Sequence, residues 1–268
     1  MKRILIIGNS GSGKSWLAAR LAEQLTIREV NLDTIVWQPG GFNKIRPRHE
    51  IDHAIQTLAQ EPSWVVEGET LFLEQIPHPV TLTQLHHNEQ TFAQLACLHN
   101  ANYQPDFAVK THGWSLADTN EALSVLCLPE AVNEKIRHIQ QVGHELFEES
   151  CLISGDSNEG NWGTRDNGEL VLFDWERFGY GSPAIDLAPL VPRMGSLAEY
   201  ETIIERYLRH SSLLSGDRLL RHLVMAKCWL IIEVTNLLTR REKPQAQQYL
   251  EWYRQQVPHW LGSVAHIV

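Results

Sequence analysis

The first 68 residues alternate between short apolar runs and longer stretches with helical spacing. The apolar runs are short, rich in β-branched residues, and cover residues 4–7, 30–33 and 63–67. Such runs are typical of strands that are buried on both faces of a parallel sheet. After the first run, Leu17, Leu21 and Leu25 recur every fourth residue, which predicts a helix with these leucines on one face. The pattern predicts an α/β segment of short parallel strands with helices over residues 1–68.

From residue 69 onward the pattern changes. Apolar positions recur mostly at three- and four-residue intervals, which is the spacing of a helix face. Stretches of this kind begin near Leu85, Val132, Tyr200, Leu219 and Tyr249. A shorter apolar run, residues 170–173, follows a turn sequence and indicates a strand. Residues 69–268 are therefore predicted to form a second, mainly helical α+β domain.

A predicted β-hairpin brings two polar side chains together. Asn167 and Gly168 precede the apolar run that ends at Asp174, and Asn-Gly favours a type I′ turn, whose two central residues need positive φ. With these residues at the centre of the turn, Asn161 and Asp174 become a cross-strand pair with Cβ atoms roughly 5 Å apart. This separation suits a shared Mg²⁺, which binds oxygen ligands at about 2.1 Å. Asp156, just before the hairpin, is then available to accept a proton from an attacking hydroxyl.

An acid, an Asn five residues later and a second acid after a hairpin form the arrangement found in protein-kinase-like phosphotransferases. The stretch resembles the aminoglycoside phosphotransferase and choline kinase-like family through Gly155-Asp156, Asn161, Asp174-Trp175-Glu176, Gly179, Gly181 and Asp186-Leu187-Ala188. Ser154 stands where that family usually has His. The resemblance implies a kinase-like C-terminal lobe in which Asp156 is catalytic, Asn161 and Asp174 bind Mg²⁺, and Asp186 braces the catalytic loop. The alternative is that the two acids are only turn residues.

A second motif lies at the start of the chain. Residues 8–15, GNSGSGKS, fit the pattern GxxxxGK[ST], with an apolar run before them and a helical stretch after them. That context predicts a phosphate-binding loop. The amides around Gly8, Gly11 and Gly13 would wrap the phosphates, Lys14 would reach the β and γ oxygens, and the Ser15 hydroxyl could bind Mg²⁺.

Residues 1–68 are similar to adenylate kinase-like topology modulation proteins. The similarity rests on the glycine-rich loop, on Leu32-Asp33-Thr34 with the Trp-Gln-Pro-Gly that follows, and on Trp64-Val65-Val66-Glu67-Gly68. It implies that Asp33 and Glu67 contact the substrate or Mg²⁺, although each could equally be an exposed acid at a strand end. After Gly68 the similarity ends. Residues 70–77 resemble instead the hinge of an aminoglycoside phosphotransferase, which implies that backbone groups around Glu74 and Ile76 hold the adenine.

Composition and charge narrow the class of partner and the compartment. The net charge is −9, and 15 Lys/Arg stand against 28 Asp/Glu after residue 50, which suits a cationic or neutral substrate and disfavours nucleic acid. Four cysteines without a CxxC pair predict reduced, buried thiols. The first apolar run is too short for a signal peptide, and the apolar segment 219–238 contains three charged residues. We expect a cytoplasmic protein that binds neither membrane nor nucleic acid.

These motifs lead to three functional hypotheses. Residues 1–68 stand where a phosphotransferase of this family has a β-sheet lobe with its own phosphate-covering loop and strand Lys. In the first hypothesis the P-loop replaces that lobe in an ATP- or GTP- and Mg²⁺-dependent kinase, which transfers the γ-phosphoryl group to a hydroxyl of a small molecule such as an aminoglycoside, choline or a sugar. In the second, favoured by the missing strand Lys and by Ser154, the protein is a nucleotide-binding regulator or degenerate fusion with little turnover. In the third, a P-loop kinase acts through Lys14 and Glu67 alone.

Overall fold

The computed structural model describes residues 2–7, 13–38, 44–68, 76–148, 151–240 and 246–268. The chain divides into two compact units, Met1–Gln75 and Ile76–Val268. The boundary expected from the sequence, after residue 68, remains a prediction.

The first unit contains a three-stranded parallel sheet. Strands β1 (Lys2–Ile7), β2 (Arg28–Asn31) and β3 (Ser63–Gly68) are arranged in the order β1-β3-β2. Helices α1 (Lys14–Leu25), α2 (Leu32–Val36) and α3 (Arg48–Gln60) lie between the strands in the chain. In the central strand, Glu67 is in register with Ile6 on one side and with Asn31 on the other. Glu67 therefore lies at the carboxyl edge of the sheet, where the strands lead into loops.

Helix α1 forms where it was predicted, and its most buried face lies beside the leucines, of which Leu21 is partly buried against the same cluster. Its buried side chains are Lys14, Ala18 and Ala22, whereas Leu17 is 43% exposed. The two alanines form an apolar cluster with Val65 of β3. A face of alanines brings the helix close to the sheet, and the leucines beside it are left nearer to solvent.

The second strand is shorter than predicted at its end. Leu32 and Asp33 are the first residues of α2, because Asn31 caps this helix with its side-chain oxygen, which accepts from the Asp33 amide at 2.8 Å. Asn is among the strongest N-cap residues because it satisfies an amide that the helix itself leaves unpaired. At residues 32 and 33 the N-cap preference of Asn31 determines the structure, and the apolar run does not continue as a strand.

The second unit is mainly helical. Helices α4 (Leu82–His87) and α5 (Glu89–His99) replace one predicted helix, because Asn88 ends the first helix and caps the second. The other helices are α6 (Leu116–Leu126), α7 (Glu130–Val142), α8 (Glu145–Glu148), α9 (Ala184–Leu187), α10 (Leu197–Leu208), α11 (Gly216–Arg240) and α12 (Ala246–Val264). Short strands form a sheet in the order β4 (His78–Pro79), β6 (Trp162–Thr164), β7 (Leu170–Leu172), and a pair made of β5 (Cys151–Ile153) and β8 (Gly179–Gly181).

Helix α11 runs through the core of the second unit. By length and composition it could cross a membrane, but 67% of its apolar window is buried inside the protein. It packs against α6, α9 and α10. These contacts give its apolar residues the environment of a core helix.

The cysteines do not all follow the expectation of buried thiols. Cys228 is buried in α11, but Cys97 and Cys127 are exposed. Cys127 ends α6 in a left-handed conformation with φ 50°. A residue at such a helix end faces solvent whatever its hydrophobicity.

Candidate active site

One buried carboxylate, that of Asp186, accepts hydrogen bonds from the loop that follows β5. Asp186 is fully buried, and its two oxygens accept from the Ser154 amide at 2.7 Å and the Gly155 amide at 2.8 Å. The Ser154 hydroxyl donates to the same carboxylate at 3.0 Å. The prediction that Asp186 braces this loop is confirmed.

A buried histidine completes the support of Asp186. His99 Nε2 lies 3.1 Å from Oδ2 of Asp186, and His99 Nδ1 lies 2.8 Å from the Tyr207 hydroxyl. The contact between His99 and Asp186 was not predicted from the sequence. The position of His99 at the end of an apolar helix face was the one available signal, because the two partners are 87 residues apart in the chain.

Gly155 determines the backbone path of this loop. Its φ is +77°, and a Cβ on it would lie 2.3 Å from the backbone oxygen of Arg177. Both the left-handed conformation and the close backbone approach require glycine. The next residue, Asp156, is thereby held in a fixed position.

Asp156 lies at the wall of a cleft of about 690 Å³. Its Oδ1 accepts from the Asn158 side chain at 2.6 Å, and its backbone oxygen accepts from the Asn161 side chain at 2.9 Å. Asn161 is only 9% exposed. Since its Nδ2 is used in this bond, its Oδ1 is the atom left for another partner such as a cation.

The predicted hairpin register is wrong by one residue. Trp162 pairs with Leu172, and the Phe173 amide donates to the Asn161 oxygen at 2.9 Å, so Asn161 lies opposite Phe173. The Arg165 amide donates to Glu169 and the Gly168 amide to Arg165, which makes a three-residue loop with Gly168 at φ +82°. The turn thus carries one residue more than the predicted type I′ turn.

Asn161 and Asp174 are consequently not the cross-strand pair that the sequence suggested. Asp174 lies one residue beyond the partner of Asn161, is exposed, and has a φ of +63°. Among the described residues, no group of three His, Cys, Asp or Glu side chains could hold a metal ion. A shared Mg²⁺ between Asn161 and Asp174 therefore remains a prediction from the resemblance.

The lining of the cleft combines acids, bases and aromatic rings. The acids among the described residues are Asp118, Asp156, Glu159 and Glu233. The bases are Arg177, Arg193, Lys227 and Arg240. Trp114, Trp229, Tyr249, Trp252 and Tyr253 contribute the rings. Burial raises the pKa of the Glu233 carboxyl, and Arg177 beside it acts in the opposite direction.

The first unit contains part of the predicted phosphate site. Gly13 has a φ of +84° and precedes Lys14, the first residue of α1, whose side chain is buried, whereas Ser15 is exposed. Glu67 is 2% exposed, and its Oε1 has no hydrogen-bond partner within the described part of the chain. The reading of Glu67 as a solvent-exposed acid is therefore wrong.

Other predicted nucleotide contacts are placed only in part. Asp33 is half-buried in the first turn of α2. Gly8, Gly11 and Glu74 lie outside the described residues. Ile76 begins the second unit, where its side chain packs against Gly163 of β6.

The sequence of the chain identifies its family. Residues 46–222, well over half of the chain, match the phosphotransferase enzyme family. The protein therefore belongs to this family of phosphotransferases. The match leaves out residues 1–45, which include the glycine-rich loop, and it begins ahead of the kinase-like segment expected from residue 69.

Solved structures of low sequence identity share the fold. LicA in complex with AMP gives a TM-score of 0.52 at 17% identity, over 71% of this chain and 68% of that chain. The choline kinase LicA from Streptococcus pneumoniae gives 0.51 at 16%, over 72% and 73%. An ethanolamine kinase from Plasmodium vivax gives 0.51 at 11%, over 72% and 65%. The chain thus has a kinase-like fold of this type, with mixed helices and strands.

Proposed function

We propose that the protein is an ATP- and Mg²⁺-dependent kinase that transfers the γ-phosphoryl group to a hydroxyl of a small molecule such as an aminoglycoside, choline or a sugar. The observation that carries the proposal is the position of Asp156. Its loop is fixed by Asp186 and Gly155, and its carboxylate lies at the wall of a cleft large enough for such an acceptor. Asp156 would orient the attacking hydroxyl and accept its proton.

The residues near Asp156 offer a donor set that fits Mg²⁺. Asn161 has an amide oxygen left for a ligand, and Asp174 presents an exposed carboxylate. Oxygen ligands of this kind suit a hard divalent cation. We propose these two residues as metal ligands; the ion would neutralise phosphate charge when bound. In the first unit, Ser15 is proposed separately as a metal ligand beside the glycine-rich loop.

For the nucleotide we propose contacts from the glycine-rich loop and the hinge. The amides at Gly8, Gly11 and Gly13 with Lys14 and Ser15 would hold phosphates at the start of the twelve-residue helix α1. Asp33 and Glu67 would contact Mg²⁺ or the substrate, and backbone groups near Glu74 and Ile76 would hold the adenine. ATP is the proposed nucleotide, with GTP as the alternative, and the proposed compartment is the cytoplasm.

A second candidate function is a nucleotide-binding regulator with little turnover, or a kinase that uses the first unit alone. The observation in its favour is the buried Glu67 carboxylate at the carboxyl edge of the parallel sheet, whose Oε1 has no hydrogen-bond partner among the described residues. A buried carboxylate of this kind is stabilised by a cation. Under this alternative, nucleotide binding would depend on Lys14 and Glu67 but not on Asp174.

Calorimetric titration of ATP with Mg²⁺ into the wild type, Lys14→Ala and Asp174→Ala separates these proposals. If both substitutions weaken one binding event and the wild type phosphorylates an acceptor in a screen of hydroxyl compounds, the kinase proposal is supported. If only Lys14→Ala weakens binding, the regulator or first-unit kinase is favoured. Unchanged ATP affinity in Lys14→Ala would contradict the role of the glycine-rich loop.

A further inference from the structure

One wall of the cleft beside Asp156 already contains a positively charged group, the guanidinium of Arg177. Arg177 donates through Nη2 to Oε2 of Glu233 at 2.7 Å, and its guanidinium carbon lies 5.7 Å from the centroid of the Trp229 ring. A carboxylate and the face of a tryptophan are the two kinds of group that attract the cation of a ligand. In this protein the side chain of Arg177 occupies that position.

The ring and the carboxylate are held in place by the fold. Phe147 packs its edge against Trp229 at 5.3 Å and 78°, and His112 does so at 6.0 Å and 86°. Trp229 is only 3% exposed. Trp229 and Glu233 lie one helical turn apart on α11, so both face the same wall.

Arg177 is also fixed through its backbone. Its carbonyl oxygen lies 2.8 Å from His112 Nε2, and it packs against Gly155, the residue before Asp156. The guanidinium therefore extends from a point next to the catalytic loop. A change at this side chain alters the cleft close to the reacting hydroxyl.

Two of the four acids of the cleft have a basic partner. Asp118 lies 3.9 Å from Arg240, and Glu233 is paired with Arg177. Glu159 accepts from the Leu82 amide at 2.7 Å, so Glu159 and Asp156 have no basic partner among the described residues. Arg177 therefore neutralises the acid that lies beside the Trp229 ring.

We propose, on the basis of the kinase function above, that Arg177 is a specificity-determining residue. Its guanidinium excludes cationic acceptors from the wall formed by Glu233 and Trp229, so that the cleft favours an uncharged acceptor such as a polyol or sugar. Loss of Arg177 exposes the carboxylate and the ring, and so creates a cation site.

The test uses two ligands of the same shape, choline and its uncharged carbon analogue 3,3-dimethylbutan-1-ol. Their affinities are measured by calorimetry without nucleotide on the wild type, Arg177→Gln, the charge-retaining control Arg177→Lys, and Arg177→Gln/Glu233→Gln. Because no phosphoryl transfer is needed, the outcome does not depend on whether the protein proves to be a kinase. Thermal melting of each variant checks that it is folded.

We expect the wild type and Arg177→Lys to show no preference for choline over the analogue. Arg177→Gln should shift the preference toward choline by about tenfold or more, and the double substitution should remove that gain. A tenfold preference for choline in the wild type would overturn the proposal, and this result requires no variant. Absence of choline binding to folded Arg177→Gln, or a gain that persists in the double variant, would overturn it equally.

Discussion

His99 Nε2 and Asp186 Oδ2 lie 3.1 Å apart with both side chains fully buried. The pair joins the end of α5 to α9, and Asp186 in turn accepts hydrogen bonds from the amides of Ser154 and Gly155. The position of Asp156 therefore depends on two side chains that are themselves closed to solvent. A buried network of this kind stabilises only when every member is satisfied.

We expect Asp186→Asn to lower the free energy of unfolding by about 3 kcal/mol, because an amide cannot accept all the bonds that the carboxylate accepts and a buried donor is left unpaired. Urea denaturation measures the loss. Asp166→Asn is the matched control: Asp166 also contacts a histidine, His78, at 3.0 Å, but its side chain is 91% exposed. The control should leave stability nearly unchanged. Equal losses in the two variants would contradict the structural role of Asp186.

Gly155 and Gly168 allow the cost of a left-handed backbone conformation to be separated from the cost of a steric clash. Their φ angles are +77° and +82°, but a Cβ at Gly155 meets the Arg177 oxygen at 2.3 Å while one at Gly168 meets nothing within 4 Å. Gly168→Ala should cost about 1 kcal/mol for the left-handed conformation alone. Gly155→Ala should cost at least about 2 kcal/mol more, since the backbone has to move. The comparison is made by chemical denaturation, and similar costs would show that the close approach is not rigid.

Asp156→Asn should reduce phosphoryl transfer by about 10²–10⁴-fold, because an amide cannot accept the proton of the hydroxyl. The melting temperature should change little, since the Asp156 side chain bonds only to Asn158 among the described residues. Asn158→Ala serves as control and should retain most of the activity. Full activity of Asp156→Asn on an identified acceptor would exclude this residue as the base.

Lys227 makes a pH-dependent contribution to stability. It is 6% exposed, its Nζ donates to the oxygens of Ala188 and Val191, and burial lowers the pKa of Lys227 to about 7. Between pH 7 and the unfolded pKa near 10.5 the unfolded chain binds the extra proton, so stability should rise with pH across this window.

The measurement for Lys227 is a difference between two proteins. The free energy of unfolding of the wild type minus that of Lys227→Met should rise by up to about 1.4 kcal/mol per pH unit between pH 7 and 10. Subtracting the Met variant removes the contribution of other groups that titrate there. A difference that stays constant with pH would show that Lys227 remains charged in the folded protein.

The sequence predicted the elements better than their exact geometry. Strands β1 and β3 and the helical second unit follow from apolar periodicity, and the bracing role of Asp186 follows from the family resemblance. The leucine spacing predicted helix α1, but it did not indicate that the small side chains of Ala18 and Ala22 are among the most buried on this helix.

Contacts between residues far apart in the chain could not be predicted from the sequence, for a physical reason. His99 with Asp186, and Arg177 with Glu233, join positions 87 and 56 residues apart, and no local pattern marks such pairs. The prediction of the hairpin register was wrong by only one residue. Asn-Gly occurs in both two- and three-residue loops, and the choice depends on which residue takes the left-handed conformation.

The single additional residue in the loop at Gly168 has a consequence for protein engineering. Side chains alternate between the two faces of a strand, so a shift of one residue exchanges the faces of everything that follows. If only Asn167 and Gly168 formed the turn, with no residue removed, Asp166 would pair with Glu169 and Asp174 would lie opposite Asn161. The length of a surface turn, more than the identity of the polar groups, therefore decides which side chains can act together here.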